Sequence, residues 1–209
     1  MLNFAKVQPG SSLNFAKDTG VLHFGMNWST MKNGSSVDLD AGILIAKKSS
    51  VKGFLGFGSK SSAEVVEFCN FGSPLVPGDP RGSKRRATAR ITHSGDDRVG
   101  DTSLDYSDNE VVSFDPASLK EDEVALIGLW SFQGHNLKDV PRAGVRVYKG
   151  APNAPTEALA EVDLTDMSGR SLTLGSVTFE NGAAVFRSIG KCGNSTYPSD
   201  WSKEALAYV

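Results

Sequence analysis

Cysteine is nearly absent. Only Cys69 and Cys192 occur in 209 residues. Two thiols this far apart build neither a disulfide framework nor a CxxC redox or metal site, and they read as ordinary reduced thiols. Histidine is almost as scarce: His23, His93 and His135 are scattered, without the H-x-x-x-H spacing of a zinc site. The chain also lacks G-x-S-x-G, a Walker-type loop and a dinucleotide fingerprint. GFLGFGSK at 53–60 has glycines and a lysine but not the phosphate-loop spacing, and it reads as a flexible hairpin loop. No apolar run approaches the ~18 residues that span a bilayer. The opening MLNFAKVQPGSSLNFAK lacks the basic-then-apolar order of a secretory signal, so the expected location is cytoplasmic. Neither sign of charge dominates. With 22 Lys and Arg against 24 Asp and Glu, the net charge of -2 gives no chain-wide case for binding nucleic acid or a membrane.

What is present is mostly strand. LNFAK occurs at 2–6 and again at 13–17 with Pro9-Gly10 between the copies, which reads as two short strands around a turn. VLHFGMNW (21–28), AEVVEFCNF (63–71), ATARITH (87–93), EVVSF (110–114), EVALIGLWSF (123–132), AGVRVYK (143–149) and EALAEVDL (157–164) are further candidates. VDLDAGILIA (37–46) begins by alternating and then turns continuously apolar, as a strand entering a core does. SLTLGSVTFENGAAVFRSIG (171–190) is a hairpin turning at Asn181-Gly182. Helix is scarce. Asp115-Pro116 followed by ASLKEDE starts up to two turns over 116–123, and SDWSKEALAY (199–208) caps at Ser199 or Asp200. Three segments read as polar loops: 47–62, 72–86 and 93–110. The expectation is one all-β domain over 1–209, a β-sandwich of two mainly antiparallel sheets with one or two short helices.

The segment HSGDDRVGDTSLDYSDNEVV at 93–112 holds six carboxylates, Asp96, Asp97, Asp101, Asp105, Asp108 and Glu110, opposed only by Arg98. Carboxylates a few ångströms apart repel by about 1 kcal/mol per pair in water, and by more when desolvated. A hard divalent cation relieves this with six to eight oxygen ligands, and Gly95 and Gly100 let the backbone turn to supply carbonyls. The EF-hand pattern fails, because Arg98 or Val99 stands where its second ligand belongs. The same composition also suits a solvated loop between strands. A second pair, Asp38 and Asp40, lies two apart on a candidate strand and therefore on one face. Two such acids either complete a cage begun by the loop or decorate an outward face.

Together these segments resemble the TerD-like family of tellurium-resistance and stress-response proteins. The family's FDLDAS-like strand corresponds to Val37-Asp38-Leu39-Asp40-Ala41-Gly42. Its HSGDN-x-x-G-[DE]-G-x-G-DDE loop corresponds to His93 through Asp101 and then Asp108-Asn109-Glu110. HFGMNW, VPRAGVRVY, EALAEVDL and GSVTFENGAAVFRSIGKCG look like further strands of that family, in the same order. The resemblance implies a β-sandwich, residence in the cytoplasm and calcium binding. It carries ligand roles to Asp38, Asp40, Asp96, Asp97, Asp101, Asp108 and Glu110. The sequence departs from the pattern twice. The 102–107 insert is longer, which leaves Asp105 an added candidate without a counterpart, and Asn109 replaces the middle acid of DDE.

RGSKRRATAR (81–90) carries five basic residues with no aromatic between them, so base stacking is not supported. It reads as a solubilising edge, as a partner for the acidic loop of another copy, or as a phosphate contact. The expectation is therefore a calcium-ordered interaction protein that is not an enzyme and whose partner is a protein, another copy included. The rival readings are a metal-dependent phosphoester hydrolase and a nucleic-acid-binding module built on 81–90.

Overall fold

The computed structural model describes residues 12–15, 20–52, 59–76, 84–102, 107–152 and 154–209. The first LNFAK copy, the 53–58 tip and Asp105 lie outside these residues. Among the described residues twelve strands form in chain order: β1 (Ser12–Phe15), β2 (Leu22–Asn27), β3 (Leu39–Lys52), β4 (Ser59–Cys69), β5 (Arg86–Ala87), β6 (Ile91–His93), β7 (Glu110–Phe114), β8 (Glu123–Ser131), β9 (Gly144–Ala151), β10 (Ala154–Asp163), β11 (Ser171–Glu180) and β12 (Ala183–Gly193). One helix, α1 (Pro198–Ala205), follows. The strands make two six-stranded sheets, β1-β12-β11-β8-β3-β4 and β10-β9-β2-β7-β6-β5, with antiparallel pairing throughout. This is the expected all-β sandwich.

Period-two alternation builds the core. Leu22, Phe24 and Met26 of β2, Val112 and Phe114 of β7, and Val145 and Val147 of β9 face Ala41, Ile43 and Ile45 of β3 and Ala125, Ile127 and Leu129 of β8. β3 reads as continuously apolar because its sheet is covered on both faces. Leu44, Leu126 and Trp130 point away from the main core and are roofed by Trp201 and Ala205 of α1. Trp130 and Trp201 stack with centroids 5.6 Å apart. Gly128 makes room for this, since a Cβ there would stand inside the Trp201 ring.

Local expectations held where the turn chemistry was strong. Asn181 and Gly182 both take positive φ, 53° and 77°, at the β11–β12 turn. Others were corrected. ATARITH is not one strand: Thr88 N–H donates to Ile91 O at 2.9 Å, closing a turn between β5 and β6. The 47–62 segment is largely ladder rather than loop, pairing from Lys47↔Glu64 to Lys52↔Ser59, because main-chain hydrogen bonds do not require apolar side chains. Asp115 caps as expected, but only one 3-10 turn, Pro116–Ser118, follows. At α1 the N-cap is Tyr197, with no side-chain capping bond.

A three-residue ion cluster ties the sheets together. Arg90 donates from Nε to Glu67 Oε2 at 2.8 Å and from Nη1 to Glu123 Oε2 at 2.6 Å. Glu67 is on β4, Glu123 begins β8, and Arg90 precedes β6 of the other sheet. Burial pushes both glutamates upward. Bonds from Thr88 and Arg90 to Glu67, and from Arg90 and the Lys120 amide to Glu123, outweigh it and hold both below the usual 4.5. A depressed carboxylate stabilises the fold above its unfolded pKa, and the gain is lost as pH falls through the folded value. Arg90→Met should therefore cost about 2 kcal/mol at pH 7, because buried Glu123 keeps only the Lys120 amide at 3.0 Å and the Lys120 ammonium at 3.9 Å. In urea denaturation the difference from wild type should shrink below pH ~4 as the carboxyls protonate. A difference independent of pH between 7 and 3 would refute this account.

Candidate metal centre

The site lies where the β6–β7 loop, residues 94–109, crosses to the start of β3. Val37 N–H donates to Val99 O at 3.2 Å, and Asp101 N–H donates to Trp28 O at 3.0 Å, which pins the loop against both sheets. Its glycines are needed for this path. Gly95 and Gly100 have φ of 115° and 78°, and a Cβ at Gly100 would strike the Trp28 ring.

The structure sorts seven of the eight sequence candidates. Asp38, Asp40 and Asp96 converge, each offering a carboxylate oxygen within 4.8 Å of the other two. Asp38 and Asp40 share a face as their spacing requires, and both are more than nine-tenths buried. Asp38 Oδ1 and Asp40 Oδ2 are buried and make no hydrogen bond of good geometry; the Trp130 side chain, its own Nε1 likewise buried and unsatisfied, is a nearby donor that acts to lower the Asp40 pKa. The cost appears in their acidity. Burial first, then the charges of Asp96 and Glu110, push Asp38 up to about 6. Burial, Glu110 and Asp38 push Asp40 up to about 9. A cavity of about 120 Å³ opens onto the trio, and its other walls are Phe71, Phe132 and Arg98. Arg98 Nε donates to Asp96 Oδ2 at 2.8 Å from the solvent side.

Four other candidates are held by donors from the protein. Asp97 Oδ1 accepts the amides of Val99 and Gly100 at 3.0 and 3.2 Å. Asn109 Nδ2 donates to Asp97 Oδ2 at 3.1 Å and to Asp101 Oδ1 at 3.0 Å, so one neutral amide bridges two carboxylates. Asp108 accepts from Arg146 Nε at 2.9 Å and from the Tyr148 hydroxyl at 2.9 Å. Glu110 is fully buried. Its Oε2 accepts from Ala41 N–H at 3.0 Å and its Oε1 from Asp97 N–H at 3.1 Å, so it joins β3 to the loop just behind the trio. His93 supports it with Nε2 3.4 Å from Oε2. Asp105 is outside the described residues.

Phe71 and Phe132 are site residues that the sequence did not reveal. Phe132 follows β8, and its amide donates to Asp38 O at 3.0 Å, which sets the ring beside the acids. No motif marks this, because the contact crosses between strands.

No protein-family model matches the sequence, and neither does any curated protein. Among the solved structures that match, two cover most of the chain. One is a homologue of telluride resistance protein (TerD) from Streptomyces coelicolor A3(2), at 18% identity and TM-score 0.58, covering 88% of this chain and 95% of that one. The chain has a TerD-like fold. The other, a protein of unknown function, is 17% identical with TM-score 0.56, and the match covers 84% of this chain and 92% of that one. Within the TerD-like fold the acidic trio sits at the β3 start and the β6–β7 loop, the two segments whose motifs carried the resemblance.

Proposed function

We propose that this chain is a calcium-binding module of the TerD-like tellurium-resistance and stress-response type, acting in the cytoplasm as a metal-ordered interaction protein rather than an enzyme. The observation that carries this reading is that Asp38, Asp40 and Asp96 each bring a carboxylate oxygen within 4.8 Å of the others, while Asp38 Oδ1 is buried without a hydrogen bond. Buried polar atoms are nearly always satisfied, and three converging carboxylates with a buried oxygen to spare fit a hard cation. Asp38, Asp40 and Asp96 would hold the ion, and a bound divalent ion would neutralise their mutual repulsion. Glu110 supports the cage from behind by fixing Ala41 and Asp97 in place. The remaining walls are Phe71, Phe132 and Arg98, with no nucleophile–base pair among these described residues, which favours binding over catalysis. No helix among the described residues is long and apolar enough to cross a membrane.

Calorimetric titration of metal-stripped protein with Ca²⁺, with Mg²⁺ as control, tests the reading. Saturable binding of one Ca²⁺, selective over Mg²⁺, is expected. Asp96→Asn should weaken it at least tenfold, while Asp101→Asn should change it little because Asn109 already holds Asp101. Absence of binding at millimolar Ca²⁺, or equal losses from the two variants, would overturn it.

A further inference from the structure

The same cage has a second chemistry. Its acids are not set in a purely polar loop, because Phe71 and Phe132 wall the cavity they face. These rings begin an edge-to-face row. Phe71 and Phe132 meet at 82° with centroids 6.1 Å apart, and Phe132 and Tyr197 at 81° and 5.4 Å. Phe132 and Tyr197 are exposed, at 39% and 52%. A hydrated metal ion has no use for an aromatic wall, whereas a cation carried on a hydrocarbon stem does.

We propose that the Asp38–Asp40–Asp96 cage also takes a primary alkylammonium group, with its methylene stem against Phe71 and Phe132, in competition with the divalent ion. An ammonium has three N–H donors in a tripod. At charge-assisted distances of 2.7–2.9 Å its three acceptors would stand about 4.6 Å apart. The three carboxylate oxygens lie within 4.8 Å of one another. Asp38 Oδ1, on a side chain more than nine-tenths buried, is an acceptor without a donor, and Asp40, equally buried, has only the poorly directed Trp130 side chain. Arg98 places one N–H on Asp96 Oδ2 from the solvent side and reaches neither Asp38 Oδ1 nor Asp40 Oδ2. A planar guanidinium cannot reach three convergent acids at once, while a lysine-type head can. The cavity, about 120 Å³, has room for the head and the first methylenes. The source is the lysine side chain of a protein partner or a free aliphatic amine.

Metal-stripped protein is titrated with n-butylammonium, with Nα-acetyl-lysine N-methylamide, and with the Nε-trimethyl form of the latter, followed by NMR shifts. Roughly millimolar binding of n-butylammonium is expected, reversed by Ca²⁺ and absent for the trimethyl form, which has no N–H donor. Equal binding of the lysine amide assigns the site to a partner's lysine; its exclusion assigns the site to free amines. Phe132→Ala should weaken n-butylammonium roughly fivefold and leave Ca²⁺ affinity unchanged. Absence of n-butylammonium binding, binding of the trimethyl form as tight as that of the parent amide, or a Phe132→Ala effect shared equally by Ca²⁺ would overturn the assignment. The cage is the one assigned above to Ca²⁺, but the two readings fail separately: Ca²⁺ binding without amine binding removes only the second ligand, and the reverse removes only the metal.

Discussion

Asp38→Asn combined with Asp40→Asn is expected to make the metal-free protein more stable than wild type while abolishing its response to calcium. The side chains keep their size, so packing around Trp130, Phe68 and α1 is preserved. What changes is the charge. Two carboxyl groups at the start of a core strand, more than nine-tenths buried and close to Asp96 and Glu110, cannot both ionise without repulsion and have lost most of their hydration. An amide carries neither cost and can donate to Asp96. The metal-free gain should be on the order of 2 kcal/mol, which in a chain of this size raises Tm by roughly 4–8 °C. Wild type should respond oppositely to metal. Calcium at about a thousand times its Kd should add about 4 kcal/mol, and the double variant should show no shift. Differential scanning calorimetry with and without EDTA measures both effects. A metal-free double variant that melts below wild type, or one that still gains stability from Ca²⁺, would mean that these acids are structural rather than a cage.

Asn109→Asp should work the other way. The Asn109 amide now gives one hydrogen bond to Asp97 and one to Asp101, and its Oδ1 accepts the Trp28 amide at 2.9 Å. An aspartate keeps the last of these and loses both donations. Three carboxylates would then face one another where a neutral amide had separated two. The metal-free variant should lose about 2 kcal/mol, from two broken charge-assisted hydrogen bonds and the added repulsion. In return it should gain a second cation site, so the calorimetric stoichiometry rises from one Ca²⁺ to two. The side-chain amide thus does in this chain what an ion would otherwise be needed for. A variant that keeps a stoichiometry of one and the wild-type Tm without metal would show that Asp97 and Asp101 do not depend on that amide.

Part of the site was readable along the chain. Asp38 and Asp40 are two apart on a strand, and a strand's side-chain period is two, so their shared face followed directly. Glu110 could have been read in the same way. It stands two before Val112 and four before Phe114, both core residues, so its side chain had to point inward rather than to a solvent-side ligand shell. The loop acids could not be sorted. Asp96 and Asp97 are neighbours, yet one lines the cage while the other closes a turn onto Val99 and Gly100. Composition gives both the same chemistry, and only the path of the backbone separates them.

From sequence alone, the alternating strands, the Asn181-Gly182 turn and the scarcity of helix determined an all-β sandwich, and the clustered carboxylates determined where acidic charge is concentrated along the chain. These are local properties: side-chain period, turn conformation and charge density act over a few residues. Tertiary structure alone decided which acids converge, that Asp108 belongs to Arg146 and Tyr148, that Asn109 neutralises Asp97 and Asp101, and that Phe71 and Phe132 wall the cage. Each of these rests on atoms brought within a few ångströms from segments tens of residues apart. Electrostatic and hydrogen-bond energies fall off over that same short distance, so they come into being only when the chain has folded.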